Sequence, residues 1–302
     1  MAKHIKRAAK VKRFIITALL TLFAGLSALV FLLPTVLTIS NSFMAESEIQ
    51  ANYGTIFATP ESGSKTFMSD KLNLKLIPDM VTFSQYITVL FKSPDYLFKF
   101  WNSVFLTAPI VIFQLITAAG AAYAFARLRG KLWNALFFIY LIIMLMPYQV
   151  TLVPNYLVAD TFKLLDTRWS IILPGVFTPF AVYIISKIMR RIPKSLNEAA
   201  KLDGANEPQI LFHIYLPLCK SAFASVAILV FIDNWNMVEQ PLIMFSDSSR
   251  YPLSVFLSQI NSGEIGLAFA VAVIYMLPAI FIFLYGEEYL VEGIAYQSGV
   301  KG

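Results

Sequence analysis

What most constrains this chain is the recurrence of apolar stretches, each about as long as a helix that crosses a bilayer. In hydrocarbon every backbone N–H and C=O needs an internal partner, so a run of about 20 apolar residues must be helical there. Six runs qualify, at 14–39, 102–126, 132–153, 170–186, 219–243 and 265–285. The pattern predicts an all-α membrane protein with six transmembrane helices. The fourth run is the shortest and holds Pro174 and Pro179. A kinked helix is expected there, because neighbouring helices or cavity water can satisfy a carbonyl that proline frees.

Composition excludes several alternatives. The chain is 58% hydrophobic and 14% charged, whereas a soluble domain carries about 25% charged residues, which argues against a soluble enzyme. One cysteine, Cys219, rules out a disulfide framework. Two histidines, His4 and His213, leave little ligand stock for zinc. No fixed-period repeat is present, which removes solenoid architectures.

An even number of spans puts both ends on one side, and Lys and Arg accumulate in segments that stay cytoplasmic. Residues 1–13 carry six of them, 127–131 three, 187–220 six and the tail Lys301, so sixteen of the 24 fall on one side. Both termini are therefore expected to be cytoplasmic. The organisation reads as a basic N-terminus (1–13), a first span (14–39), an extracytoplasmic loop (40–101), a five-helix core (102–290) enclosing a cytoplasmic loop (190–220), and a cytoplasmic tail (291–302). The first apolar run of 26 residues exceeds a signal-peptide core of about 7–15, so it reads as an uncleaved anchor. The basic cluster before it suits anionic lipid headgroups, and nucleic acid is not an expected partner.

The cytoplasmic loop reads RRIPKSLNEAAKLDGANEPQILFHIYLPLCK. Ser195 and Glu198 have capping-box spacing, which predicts a helix over 196–203. Gly204 stands where a left-handed residue is wanted. Asn206 is placed to cap a second helix, Pro208 falls in its first turn, and Pro217 is expected to stop it. Leu196, Ala199 and Ala200 on the first helix, and Ile210, Leu211 and Ile214 on the second, need a surface to bury against, because helices this short are marginal alone. That surface is either the chain's own membrane domain or a groove in a soluble partner.

Ionisable groups within a span usually face a cavity or a neighbouring helix. Asp233, Asn236 and Glu239, spaced by three, are expected on one helix face as a translocation path. Trp235 or Tyr275 would stack on an apolar sugar face, and Gln114 and Gln149 are weaker candidates. The alternative is that these groups lie at the membrane interface, where such residues are routine. The chain has no G-x-x-x-x-G-K-[ST] loop, so it cannot hydrolyse ATP by that route. Cys219, beside Lys220, has no histidine or aspartate near it in sequence and is not read as a nucleophile.

The string EAAKLDGA followed by IYLP resembles the EAA loop of bacterial ABC-importer permeases. The matching positions are Glu198, Ala199, Ala200, Asp203, Gly204, Ala205, Ile214, Leu216 and Pro217. AAYAFARLRGK (121–131), MPYQVTLVPNYL (146–157), the residues around Trp235 and Pro241, and the tail YLVEGIAYQSGVKG are similar to the carbohydrate branch, in particular its maltose-type second permease. The likeness covers most of the chain from about residue 100. It departs at Ser221, where the family often has proline, and in the wording of the tail. The resemblance implies an ABC type I importer permease fold with the EAA loop as the element that docks into an ATPase subunit. It further implies a second permease, two ABC ATPase subunits, an extracytoplasmic solute-binding protein and a sugar substrate in a bacterial cell membrane. ATP and Mg would be held by the partner ATPase subunits, with no cofactor on this chain. A non-sugar importer, a self-powered secondary transporter and a membrane-embedded enzyme are the rival readings. The last two lack a visible inverted repeat or ion relay and a nucleophile with its base.

Overall fold

The computed structural model describes residues 2–57, 75–128, 130–260 and 264–298. Met1, Arg129, Lys301, residues 58–74 of the expected extracytoplasmic loop and the end of the expected tail lie outside the described residues. Every regular element among those described is helical, with one isolated antiparallel bridge between Met44 and Val81. Four helices are long and apolar enough to cross a membrane: Arg13–Asn41, Pro94–Arg127, Trp169–Met189 and Ile265–Val291. Two sharply bent helix pairs raise the number to six if each pair is one span. The chain divides into a unit of residues 1–93 with 260–274 and a unit of residues 94–259 with 275–302.

The first unit begins with α1 (Ala2–Asn41). From Phe14 to Val36 its large apolar side chains are exposed, an arrangement that water penalises and lipid tails do not. The chain then turns into α2 (Glu46–Phe57) and α3 (Ser84–Ile87), which continues as a π turn over Thr88–Lys92. Polar side chains hold this turn: Asn41 donates to the Tyr53 hydroxyl at 2.8 Å, and the Ser42 and Tyr86 hydroxyls meet at 2.7 Å. Glu48 accepts the backbone N–H of Asp79 at 2.9 Å and of Met80 at 3.3 Å, and pairs with Lys75 at 2.9 Å. The Asp79 N–H, with the Lys75 ammonium, holds its carboxyl below the ordinary range. Met44, Ile49, Tyr53 and Ile265 bury together beneath.

The second unit is organised on α4 (Pro94–Arg127), which is followed by α5 (Lys131–Met144) and α6 (Tyr148–Thr161). Next come α7 (Trp169–Val176) and α8 (Pro179–Met189), then the loop helices α9 (Lys194–Leu202) and α10 (Glu207–Ile210). A π turn (Leu211–Tyr215) leads to α11 (Leu216–Leu218) and α12 (Lys220–Trp235). The chain ends with α13 (Glu239–Met244), a 3₁₀ turn (Ser248–Arg250), α14 (Leu253–Ser258) and α15 (Ile265–Ser298). Helix α4 packs against α7, α8 and α12. Buried Ala118, Ala122, Ala181 and Ala222 let backbones approach, and Ile185, Met189 and Val226 fill the space between. A second cluster joins Leu106 and Ile110 of α4 to Ile171, Ile172 and Phe245.

Three expected spans are interrupted. The 132–153 run is two helices at 98°, because Pro147 has no N–H to continue the ladder and disfavours α geometry at Met146. The 170–186 run breaks at 177–178, where Pro179 starts α8, yet its two pieces together remain one candidate span, as the kink argument expects. The 219–243 run stops at Trp235, where the Asn234 and Asn236 side chains turn back to the carbonyls of Val230 and Ile232, both at 2.8 Å, and a new helix starts at Glu239.

The α4–α7 contact depends on a glycine. A Cβ on Gly175 would lie 3.0 Å from Ile110 Cγ2 and 3.2 Å from its Cγ1 and Cδ1, and Ile110 is fully buried with no room to retreat. Gly175→Val is therefore expected to destabilise the detergent-purified chain by about 1–3 kcal/mol, the usual cost of overpacking. Thermal unfolding should show a midpoint lower by several degrees, while Gly120→Ala, which meets open space, does not lower it.

Candidate functional site

The loop at 190–220 folds as a tight helical hairpin. Helix α9 starts at Lys194 with Pro193 as its N-cap, in extended geometry (ψ 135°) and with no side-chain cap. The Ser195–Glu198 capping box does not form, because the proline starts the helix before Ser195 and leaves that serine inside the first turn. The C-terminal end follows expectation: Gly204 takes φ +83°. The N–H of Ala205 reaches Ala200 O at 2.9 Å, and that of Gly204 reaches Lys201 O at 3.1 Å, the paired bonds that close a helix through a left-handed residue. Nothing lies within 4 Å of where a Gly204 Cβ would be. The requirement for glycine is thus one of backbone conformation and not of space.

Helix α10 opens with a complete capping box. Asn206 Oδ1 accepts Gln209 N–H at 2.9 Å, Gln209 Oε1 accepts Asn206 N–H at 2.8 Å, and Pro208 lies in the first turn. Pro217 does not stop this helix. The segment Glu207–Leu218 runs through it and bends by 78° into α12 at Cys219, because Pro217 falls at the start of α11, where an N–H is dispensable.

Of the two surfaces considered for the hairpin, the chain's own core takes one face, and another face stays exposed. Ile210 and Tyr215 are buried in the core formed with α4 and α8, with Ala200, Ala205, Leu211 and Ile214 packed at its edge. Leu202 is 90% exposed and Phe212 62% exposed. Glu198, Ala199, Asp203, Gly204 and Pro217 are also exposed, and Leu216 is half-buried.

Glu207 fastens the hairpin to α4. It accepts from the Tyr123 hydroxyl, from Lys201 at 2.8 Å and from Arg127 at 3.4 Å, and Arg127 also donates to the Tyr123 oxygen at 3.1 Å. The Lys201 hydrogen bond, then that from Tyr123, holds the Glu207 carboxyl below its ordinary range. Arg190 adds a second tie, donating to Phe125 O at 3.0 Å and lying 4.5 Å over the Phe137 ring. Sequence reasoning missed this clamp. Its signal was the i, i+4 pair Tyr123 and Arg127 on the last turn of α4, with an acid at the first position of α10.

A cavity of about 770 Å³ lies in the second unit. Gln114 of α4, Tyr148, Thr151 and Asn155 of α6, Ser170 of α7 and Asp233 of α12 furnish its polar wall. All three helix breaks also contribute to it, through Met146, Phe177 with Thr178, and Met237. Of the residues expected to form a path, Gln114 and Asp233 meet here and Trp235, Asn236 and Glu239 do not. Asp233, Asn236 and Glu239 share no helix face, since α12 ends between them. Trp235 is buried at 2% exposure, stacked between Phe231 and Tyr275 at 5.2 and 5.5 Å, and its Nε1 donates to Tyr275 O at 3.1 Å. Trp235, stacked and buried, offers no free face to a sugar. The Tyr275 hydroxyl donates to Trp235 O at 2.8 Å and lies 2.9 Å from Asn236 Oδ1, while Glu239 is held by Gln149 at 3.3 Å. The polar face of α6 was missed. Tyr148, Thr151 and Asn155 recur at the i, i+3, i+7 spacing of one helical stripe, which could have revealed it.

The arabinooligosaccharides transport system permease protein AraQ of Halalkalibacterium halodurans is 28% identical, over 90% of this chain and 98% of the relative. Its Bacillus subtilis counterpart is 29% identical over 94% and 95%. A solved bacterial ABC transporter involved in the import of the acidic polysaccharide alginate has a chain that superposes with a TM-score of 0.74 over 91% of this chain and 96% of its own, at 23% identity, which shows a shared fold. Residues 81–295 match the family model for the inner membrane component of binding-protein-dependent transport systems, and the chain belongs to that family.

Proposed function

We propose that this chain is one of two permease subunits of an ATP-driven importer that carries a carbohydrate, such as an oligosaccharide, handed over by an extracytoplasmic binding protein. In this reading six spans place both termini and the 190–220 hairpin in the cytoplasm, the cavity at Gln114 and Asp233 belongs to the translocation path, and ATP with Mg is held by two separate ATPase subunits. Glu198, Ala199, Ala200, Asp203, Gly204, Ala205, Ile214, Leu216 and Pro217 form the hairpin that fits a cleft of an ATPase subunit.

The observation that carries the reading is the hairpin itself. A turn closed by Gly204 and a capped α10, clamped to α4 through Glu207, presents Leu202 and Phe212 to the outside. Apolar side chains on so well-ordered a loop suit a protein groove. Moving an inward/outward equilibrium from 1:99 to 99:1 needs a partner that favours one state by about 5.5 kcal/mol, and ATP-driven closure delivered through the hairpin is the source. The test is purification through a tag on this chain, followed by assay for a co-purifying ATPase whose hydrolysis rises with a sugar-loaded binding protein. Recovery of a chain that transports without any ATPase would overturn the reading.

Two substitutions probe the hairpin. Gly204→Val forces a β-branched residue into positive φ at a cost of about 1–2 kcal/mol, and is expected to abolish ATPase co-purification and uptake while leaving the chain in the membrane. Gly204→Asn, which tolerates that conformation better, should retain part of both activities. Glu207→Ala removes the clamp. Because such part-exposed ion pairs are each worth up to about 1 kcal/mol, amide exchange over 194–215, corrected for intrinsic rates, should quicken by roughly fivefold at neutral pH. The folded-state pKa of Glu207 is lowered, so the clamp is fully present above the ordinary carboxylate value of 4.5 and is lost as the pH falls below it. The parent chain should therefore come to resemble Glu207→Ala in acid.

A further inference from the structure

The charge of the cavity wall restricts what the cavity can pass, an argument that rests on the permease reading above. Asp233 is the one acidic side chain among the described lining residues, and no Lys, Arg or His stands with it. No ion pair among the described residues reaches Asp233. The other polar groups of the wall are amides and hydroxyls. Gln114, at 2% exposure, has an Oε1 with no hydrogen-bond partner. An orphaned buried amide oxygen is costly, and a donor hydroxyl from a ligand would satisfy it.

A neutral sugar matches such a wall: its hydroxyls donate to Gln114 and Asp233 and accept from the Tyr148 hydroxyl. A uronate instead sets its own carboxylate against Asp233, an exposed side chain of the wall, and no cation among this chain's described lining residues offsets it. The shared fold leaves this choice open, since the solved neighbour is involved in the import of an acidic polysaccharide. We propose that this cavity admits uncharged oligosaccharides and rejects uronate-containing ones, with Asp233 as the specificity-determining residue and Gln114 as a hydroxyl acceptor.

The test places a reporter cysteine, Asn155→Cys, on the cavity wall of the full complex in liposomes, with the signal of the parent chain, whose Cys219 is buried, subtracted. Two methanethiosulfonates of similar size, one bearing an ammonium and one a sulfonate, are compared after each rate is normalised to that with a free thiol. Because a cleft lined by one sign concentrates counter-ions at least tenfold, the cationic reagent is expected to react about tenfold faster or more, with the ratio falling to within about twofold in Asp233→Asn. Arabinotriose should slow the labelling and trigalacturonate should not. A ratio near one in the reporter chain, a ratio unchanged by Asp233→Asn, or protection by trigalacturonate equal to that by arabinotriose overturns the proposal. ATP hydrolysis by the same complex separates the two levels. If hydrolysis responds to a sugar-loaded binding protein while the ratio is near one, only the selectivity fails; if it never responds, the permease reading fails with it.

Discussion

The second unit depends on one constraint, that no backbone polar group can be left unpaired where water is scarce. Long helices meet it mostly by themselves, as α4 does over 34 residues apart from the one bond that Pro109 cannot donate. The interrupted helices meet it with local substitutes. Where Pro179 frees the carbonyl of Gly175, the Thr178 hydroxyl donates to it at 2.9 Å, and Thr117 of α4 donates to Val176 O at 3.0 Å. Ahead of Pro147, the N–H groups of Leu145 and Met146 tighten onto Ile142 and Ile143, both at 3.1 Å. At the third break, asparagine amides fold back onto their own helix. Irregular backbone at membrane depth is tolerated where it is buried or lines a cavity, and residues of all three breaks line the same one. The breaks are therefore part of how the cavity is made.

The hairpin obeys the opposite logic. It is built from short helices, so its shape is written residue by residue: a left-handed glycine, a reciprocal cap and prolines placed in first turns. Such short helices do not persist alone. Their order comes from burying Ile210 and Tyr215 and from the charges gathered on Glu207. The faces that remain outside, with Leu202 and Phe212, are what the chain's own packing leaves unused.

This difference explains what could be read from sequence. The apolar runs were legible from their length, and so were two signals contained within a few residues, the positive φ at Gly204 and the cap at Asn206. Signals that depend on which neighbour wins were not. Ser195 has the right spacing for a cap, but Pro193 two residues earlier sets the helix start. Pro217 looks like a stop until Leu216 begins a new turn around it. Trp235 looks available for a ligand, yet Tyr275, forty residues away in sequence, stacks on it and bonds both its indole N–H and its carbonyl. Asp233 and Gln114 were legible as polar groups inside apolar runs; that they share a wall with the stripe of α6 required the fold.

The two regions are mechanically linked through rigid elements. Tyr123 and Arg127, which receive the hairpin, and Gln114, in the cavity wall, all lie on α4, nine and thirteen residues apart, or about 14 and 20 Å along an unbroken helix. At its other end the hairpin passes through the bend at Cys219 into α12, whose far end carries Asp233. In the importer reading proposed above, a displacement of the hairpin reaches one polar anchor of the cavity directly along α4 and the other through the Cys219 bend and α12, and these two helices pack against each other. The broken helices α5 to α8, by contrast, can change angle at their interruptions without losing backbone bonds within their segments. In the same importer reading, one pair of long elements set against several jointed ones lets a push on the hairpin reshape the cavity wall instead of shifting the whole bundle as a block.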